Sequence, residues 1–267
     1  MIQLNDVSVR FGSFQALHPT SLAFREGQFT VLLGASGAGK STLLRCLNLM
    51  NEPHGGTIDV SGLGSLHNRQ ALQEHRRRTG MIFQQHQLIA RLSALQNVLM
   101  GRLGYHSTWR SLLPLPKEEQ SIGLHSLERV GLLHRALSRV DQLSGGQQQR
   151  VGIARALTQQ PRLILADEPV ASLDPATADK VVAMLHQICK EDGISAVVSL
   201  HQVDLAKRYA DRIIGLAHGR VVFDAKPEEL TTEYAEALYT HRPSIAEPES
   251  LPSRSSLFSL NLATVEE

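Results

Sequence analysis

The chain has 267 residues, and its 27 lysines and arginines nearly cancel 26 aspartates and glutamates. That balance argues against a nucleic-acid protein working through a broad basic surface. A hydrophobic content of 42% suffices for a globular core, so disorder is not the default.

Residues 2 to 9 alternate loosely and read as a strand, and Phe11-Gly12 turns the chain. Ala16 to Phe24 reads as a second strand, with Glu26-Gly27 turning into a third, Phe29 to Leu33. Ile58 to Val60 reads as another short strand, so the opening is β-rich and expected to be antiparallel. From about Gln70, Leu, Ala, Arg and Gln dominate, with helical spacing at Leu92, Leu95 and Leu99 and again at Leu124, Leu127 and Val130. Residues 86–158 therefore read as a helical insertion, broken by the Pro-bearing loop Leu113-Pro114-Leu115-Pro116.

Parallel α/β patterning resumes with the apolar run Leu163 to Ala166, as expected of a strand buried on both faces. Ala178 to Lys190 reads as an amphipathic helix, Ala196 to Leu200 as the next buried strand and Val203 to Tyr209 as the next helix. Ile213 to Ala217, a His218-Gly219 turn and Arg220 to Phe223 read as a hairpin, and Glu228 to Tyr239 as a helix. One domain is expected over 1–242, followed by a Ser-, Pro- and Glu-rich tail, 243–267, expected to be disordered.

Cys46 and Cys189 lie far apart, show no metal-type spacing and read as buried, reduced thiols of a cytosolic protein. The N-terminus lacks a charged stretch leading into an apolar core, so no signal peptide is expected. No apolar run approaches the ~20 residues that span a bilayer, so work at a membrane would need another subunit.

The richest chemistry lies in Gly34-Ala35-Ser36-Gly37-Ala38-Gly39-Lys40-Ser41, between the third strand and a helix opening at Thr42. Strand, Gly-rich loop, Lys-Ser and helix form a phosphate cradle. Glycines let successive N–H groups close on phosphate oxygens, and the helix N-terminus adds partial positive charge. Lys40 can reach the β- and γ-phosphates, and the Ser41 hydroxyl can hold Mg²⁺.

Ligands in doubly wound sheets sit at the carboxyl ends of strands. Asp167-Glu168 follows one buried strand and His201 another, so all three sites converge if those strands are neighbours. Asp167 can then take the outer shell of Mg²⁺, and Glu168 can polarise a water for attack on the γ-phosphate. The alternatives are a solvated turn for the acidic pair and a satisfied polar group at a strand end for His201. Ser144-Gly145-Gly146-Gln147, after Leu143, opens another helix; it suits an anion, or is a Ser cap on a flexible turn.

Taken together, these motifs resemble the ABC transporter ATPases over about residues 1–240. Leu143 to Gln147 matches their signature, Leu163 to Glu168 the Walker B strand, Ser172-Leu173-Asp174 the D-loop and His201 the switch histidine. Gln84, within Ile82-Phe83-Gln84-Gln85, matches the Q-loop glutamine, and Phe11 matches the adenine-stacking aromatic, usually Tyr.

The resemblance implies a P-loop α/β core with a mixed sheet, an N-terminal antiparallel β-subdomain and an inserted helical subdomain. It implies ATP hydrolysis with Mg²⁺, nucleotide contacts from Phe11, from Gly34 through Thr42 and from Asp174, and catalytic roles for Glu168, His201 and Gln84. Ser41, Gln84 and Asp167 are the implied Mg²⁺ ligands. Two such chains pair head to tail, so Ser144, Gly145, Gly146 and Gln147 would serve the partner's ATP.

Gln84 would couple the site to a membrane permease, with the ATPase peripheral on the cytoplasmic face of a bacterial inner membrane. A finer resemblance, to the phosphonate-importer ATPases, rests on Gly101 to Tyr105, Trp109 to Leu112, His201 to Ala206 and Tyr209 to Ile214. It implies a phosphonate-binding protein outside the membrane that reaches this subunit only through the permease, and no nucleic-acid partner. Competing expectations are an importer for another oxyanion or a polar amino acid, and a soluble ABC ATPase acting on nucleic acid or ribosomes. Arg76-Arg77-Arg78 reads as a solvated helix face, and Leu88, Ile89 and Leu92 as either docking or core residues.

Overall fold

Two sheets divide the strands. In the computed structural model, which describes residues 1–85, 87–106 and 115–239, strands β1 (Ile2–Phe11), β2 (Phe14–Phe24), β4 (Gly55–Val60) and β5 (Gly64–Ser65) form an antiparallel sheet ordered β2-β1-β4-β5. The second sheet contains β3 (Phe29–Leu33), β6 (Thr79–Ile82), β7 (Leu163–Ala166), β8 (Ser195–Ser199), β9 (Arg212–Ala217) and β10 (Arg220–Ala225). Its order is β10-β9-β3-β8-β7-β6, parallel except for the antiparallel edge pair β9–β10.

The central strands are buried on both faces because their side chains alternate between two cores. Val31 and Leu33 point into a core shared with the helices, while Leu32 points into a core shared with the N-terminal sheet. Helix α1 (Lys40–Cys46) closes the second core through Leu43, Leu44 and Cys46.

Strand β6 departs from the expected helical character of its stretch. Thr79-Gly80-Met81-Ile82 is too short to show a period, yet it pairs in parallel with β7. A Cβ on Gly80 would lie 3.0 Å from the Ala156 Cβ, so this edge also packs closely on a helix.

Helix α2 (Arg69–Arg77) precedes β6, and its arginines, with Arg76 exposed, also bind groups of neighbouring segments. Arg76 donates to the Asn48 and Leu49 carbonyls, Arg77 to that of Gly104, and Arg78 pairs with Glu74.

Between β6 and β7 lie α3 (Ala94–Leu99), a 3-10 turn over Met100–Tyr105, α4 (Lys117–Arg129) and α5 (Gly145–Leu157). Gly123 lets α4 approach α3, since a Cβ there would meet Leu99 at 2.8 Å. The fully buried Asn97 amide donates to the carbonyls of Ile89, Leu92 and Ser93 and accepts the Ile89 N–H, tying down the segment after Gln84. Ile89 is exposed, whereas Leu88 packs on the core.

The carboxyl-terminal half follows expectation closely. It contains α6 (Pro175–Glu191), α7 (Val203–Tyr209), the β9–β10 hairpin and α8 (Thr232–Tyr239). Trp109 to Pro114 and the segment 243–267 lie outside the described residues. Among the described residues, no helix is long and apolar enough to cross a membrane.

Candidate active site

Strand order brings the separated motifs together. Strand β8 lies between β3 and β7 with all three parallel, so the P-loop after β3, Asp167-Glu168 after β7 and His201 after β8 emerge at one sheet end.

Three P-loop glycines have positive φ: Gly34 at 146°, Gly37 at 80° and Gly39 at 102°. At Gly34 a Cβ would lie 2.2 Å from the Leu216 carbonyl oxygen, so the loop's entry excludes every side chain. Lys40 is buried, and its ammonium donates to the Gly34 and Ala35 carbonyls at 2.8 and 3.0 Å. Burial pushes the Lys40 pKa down, while Glu168 and Asp167 pull it back.

Asp167 is the best-anchored carboxylate of the group. Its Oδ1 accepts from Ser41 Oγ at 2.6 Å and from Ser199 Oγ at 3.2 Å, and its Oδ2 faces the Arg45 guanidinium at 3.2 Å. Glu168 has a left-handed φ of 47°, and its N–H donates to Ser199 Oγ at 2.8 Å. That strained conformation turns the carboxylate toward His201 Nε2, 2.6 Å away, with Lys40 Nζ 3.8 Å off on the other side.

Gln84 is exposed and follows β6 by two residues. The Ile82 carbonyl accepts the Asp167 N–H at 2.9 Å, so pairing of β6 with β7 brings the Gln84 segment to the same sheet end as Asp167.

Ser144 to Gln147 form the start of α5. Ser144 caps the helix and Gln147 returns the bond: Ser144 Oγ accepts the Gln147 N–H at 3.4 Å, and Gln147 Oε1 accepts the Ser144 N–H at 2.9 Å. Gly146 packs against α6, where a Cβ would lie 2.9 Å from Thr177 Cγ2. Asp174 caps α6 by accepting the Thr177 N–H at 3.0 Å, and the Thr177 side-chain hydrogen bond, followed by that N–H, holds its carboxyl below the usual range. Among the described residues, no hydrogen bond or ion pair joins Ser144 to Gln147 to the P-loop of the same chain.

Phe11 is 54% exposed and stands opposite Phe14 in the β1–β2 register; Phe14 is 63% exposed. Directly paired antiparallel residues share a face, so the two rings project together. Phe14 also lines a cleft of about 450 Å³ with Ala35 to Ala38. Sequence reasoning passed over Phe14; the signal was a second aromatic at the far side of the Gly12 turn.

A Gly-rich phosphate loop on a parallel sheet, with two carboxylates and a histidine at the same end, defines a P-loop nucleoside triphosphatase. Residues 17–171 match the ABC transporter family. The chain belongs to that family, and it is an ATP-binding, ATP-hydrolysing cassette.

Among curated proteins, it is 64% identical over 231 residues to the phosphonates import ATP-binding protein PhnC 3 of Nostoc sp., covering 86% of this chain and 88% of that one. It is 60% identical over 254 residues to the phosphite import ATP-binding protein PxtA of Stutzerimonas stutzeri, covering 95% and 92%. Among solved structures, the dimeric post-hydrolysis ATP-binding cassette MJ0796 bound to ADP and Pi matches with a TM-score of 0.74 and 33% identity, over 86% of this chain and all of that one.

Proposed function

We propose that this chain is the ATPase subunit of an importer for phosphonates. The observation that carries the reading is the 64% identity to a phosphonates import ATP-binding protein. The phosphite relative, at 60%, favours a second reading within the same class of phosphorus oxyanions.

In this reading the P-loop amides and Lys40 bind the ATP phosphates. The Ser41 hydroxyl and Asp167 carboxylate face one another at 2.6 Å, and such hard oxygen donors suit Mg²⁺, with Gln84 as a third ligand. When bound, Mg²⁺ neutralises charge on the β- and γ-phosphate oxygens.

Glu168 accepts a proton from the attacking water as its oxygen bonds to the γ-phosphorus, and the ADP oxygen leaves with the bond electrons. His201 holds the Glu168 carboxylate in place through the 2.6 Å contact. Phe11 stacks on adenine, and Asp174 lies at the nucleotide interface.

Two copies pair head to tail, with Ser144 to Gln147 of each completing the partner's site. The dimer works beneath permease subunits on the cytoplasmic face of the membrane, which receive phosphonate from a binding protein outside. Nucleic acid has no part in this scheme.

The test is deletion of the gene followed by growth on phosphonate, phosphite or phosphate as sole phosphorus source. Loss of growth on phosphonate alone is expected. Intact growth on phosphonate with loss on phosphite would move the assignment to the second reading.

A further inference from the structure

Helix α8 reaches the active site at its last two residues. The Leu238 carbonyl accepts the Ala35 N–H at 3.3 Å, and the Tyr239 hydroxyl donates to the His201 carbonyl at 2.9 Å. One end of one helix thus touches the backbone of the phosphate loop and of the histidine turn.

Packing fixes that end of the helix. Leu238 is buried against Gly215 of β9, where a Cβ would meet its Cδ2 at 2.7 Å. The Tyr239 ring packs on the helical core. Burial pushes the Tyr239 phenol up, and a hydrogen bond from the Gly34 backbone pulls it partway back.

His201 needs an external hold. It lies between the end of β8 and the start of α7, outside both ladders, and its side chain is 38% exposed. Its imidazole must nevertheless stay within hydrogen-bond reach of Glu168 Oε1.

We infer that Tyr239 is a positioning residue for hydrolysis: its hydroxyl fixes the His201 backbone, and through it the imidazole that orients Glu168. The inference rests on the proposed role of His201 and on no assumption about the transported molecule. Tyr239 touches no reacting atom, so the effect of its bond to His201 belongs in turnover, and only its bond from Gly34 can reach ATP affinity.

The experiment is a double-mutant cycle on the full chain, using Tyr239→Phe, His201→Ala and the pair. Single-turnover phosphate release is measured with enzyme in excess over ATP, alongside ATP affinity and thermal midpoint.

Tyr239→Phe removes both phenol bonds; loss of the one to His201 should lower the rate about three- to tenfold, with ATP affinity changing by a smaller factor through the lost Gly34 bond and the fold intact. In the His201→Ala background the same change should have no further effect. Tyr239→Leu, which also removes ring packing, serves as a second variant and should show the same dependence on His201.

An unchanged rate in Tyr239→Phe would overturn the inference. So would an equal fall in both backgrounds, or a loss confined to ATP affinity, which would assign Tyr239 to the phosphate loop alone. Wild-type turnover in His201→Ala would instead remove the role given to His201, and the inference with it.

Discussion

His201 Nε2 lies 2.6 Å from Glu168 Oε1, and the same carboxylate oxygen faces Lys40 Nζ at 3.8 Å. One oxygen therefore sits between an imidazole and the ammonium of the phosphate loop. Lys40 also donates to two carbonyls of its own loop. Each of these groups can be probed separately.

Glu168→Gln keeps the shape of the side chain but cannot accept the water proton. Turnover should fall about 10²–10⁴-fold while ATP still binds and dimers accumulate. Phosphate release and light scattering in ATP check this, and wild-type turnover would remove Glu168 as the base.

Asp167→Asn keeps the acceptor for Ser41 and removes the charge that faces Arg45 and that is proposed to serve Mg²⁺. The Mg²⁺ concentration for half-maximal turnover should rise at least about tenfold, because hard cations prefer charged oxygen donors. An Mg²⁺ titration at saturating ATP measures it, and an unshifted curve would exclude Asp167 from the metal site.

Phe11→Ala should raise the KM for ATP about tenfold with little change in kcat, because base stacking is worth roughly 1–3 kcal/mol. Phe11→Tyr should be neutral. Phe14→Ala should also raise KM, by a smaller factor, since Phe14 shares the face and lines the cleft beside Ala35 to Ala38. Unchanged KM in both alanine variants would place the base elsewhere.

His75 is buried with Nε2 2.8 Å from the Leu47 carbonyl, and burial pushes its pKa below 6.5. The unfolded chain therefore takes up the proton first on acidification. His75's contribution is full above pH 6.5 and is lost as pH falls from there toward the depressed folded value, at no more than about 1.4 kcal/mol per pH unit. Urea melts at pH 7.5 and 5.5 should show a smaller loss for His75→Gln than for the native chain. Equal losses would contradict the buried neutral imidazole.

Cys46 and Cys189 are both buried, and burial pushes each thiol up to about 12. Neither should react with iodoacetamide in the folded protein at pH 8, and both should react in denaturant. Mass spectrometry of the labelled chain decides it.

Much of the site is legible in consecutive residues because its parts are local. Gly34 to Ser41 encode a backbone shape, Ser144 to Gln147 a helix cap, and Leu163 to Glu168 a buried strand with acids at its end. Each depends on side chains a few positions apart, so spacing alone carries the information.

Convergence of these parts is a tertiary matter. Neighbouring residues do not state that β8 inserts between β3 and β7, yet that order brings His201 to Glu168 across 33 positions and Asp167 to Ser41 across 126. Strand β6, at four residues, was too short to show a period, and only its pairing with β7 reveals it. The carbonyls that Arg76 and Arg77 bind lie 27 or 28 residues away, so spacing alone does not show those bonds.

Tyr239 is the sharpest case. Nothing about a tyrosine at the end of a helix marks it as a neighbour of His201, 38 residues earlier. Local chemistry thus determined which groups are available for ATP hydrolysis. Packing of the helices and the order of the central sheet decided which of them meet, because hydrogen bonds and ion pairs act over a few ångströms in space, whatever the separation along the chain.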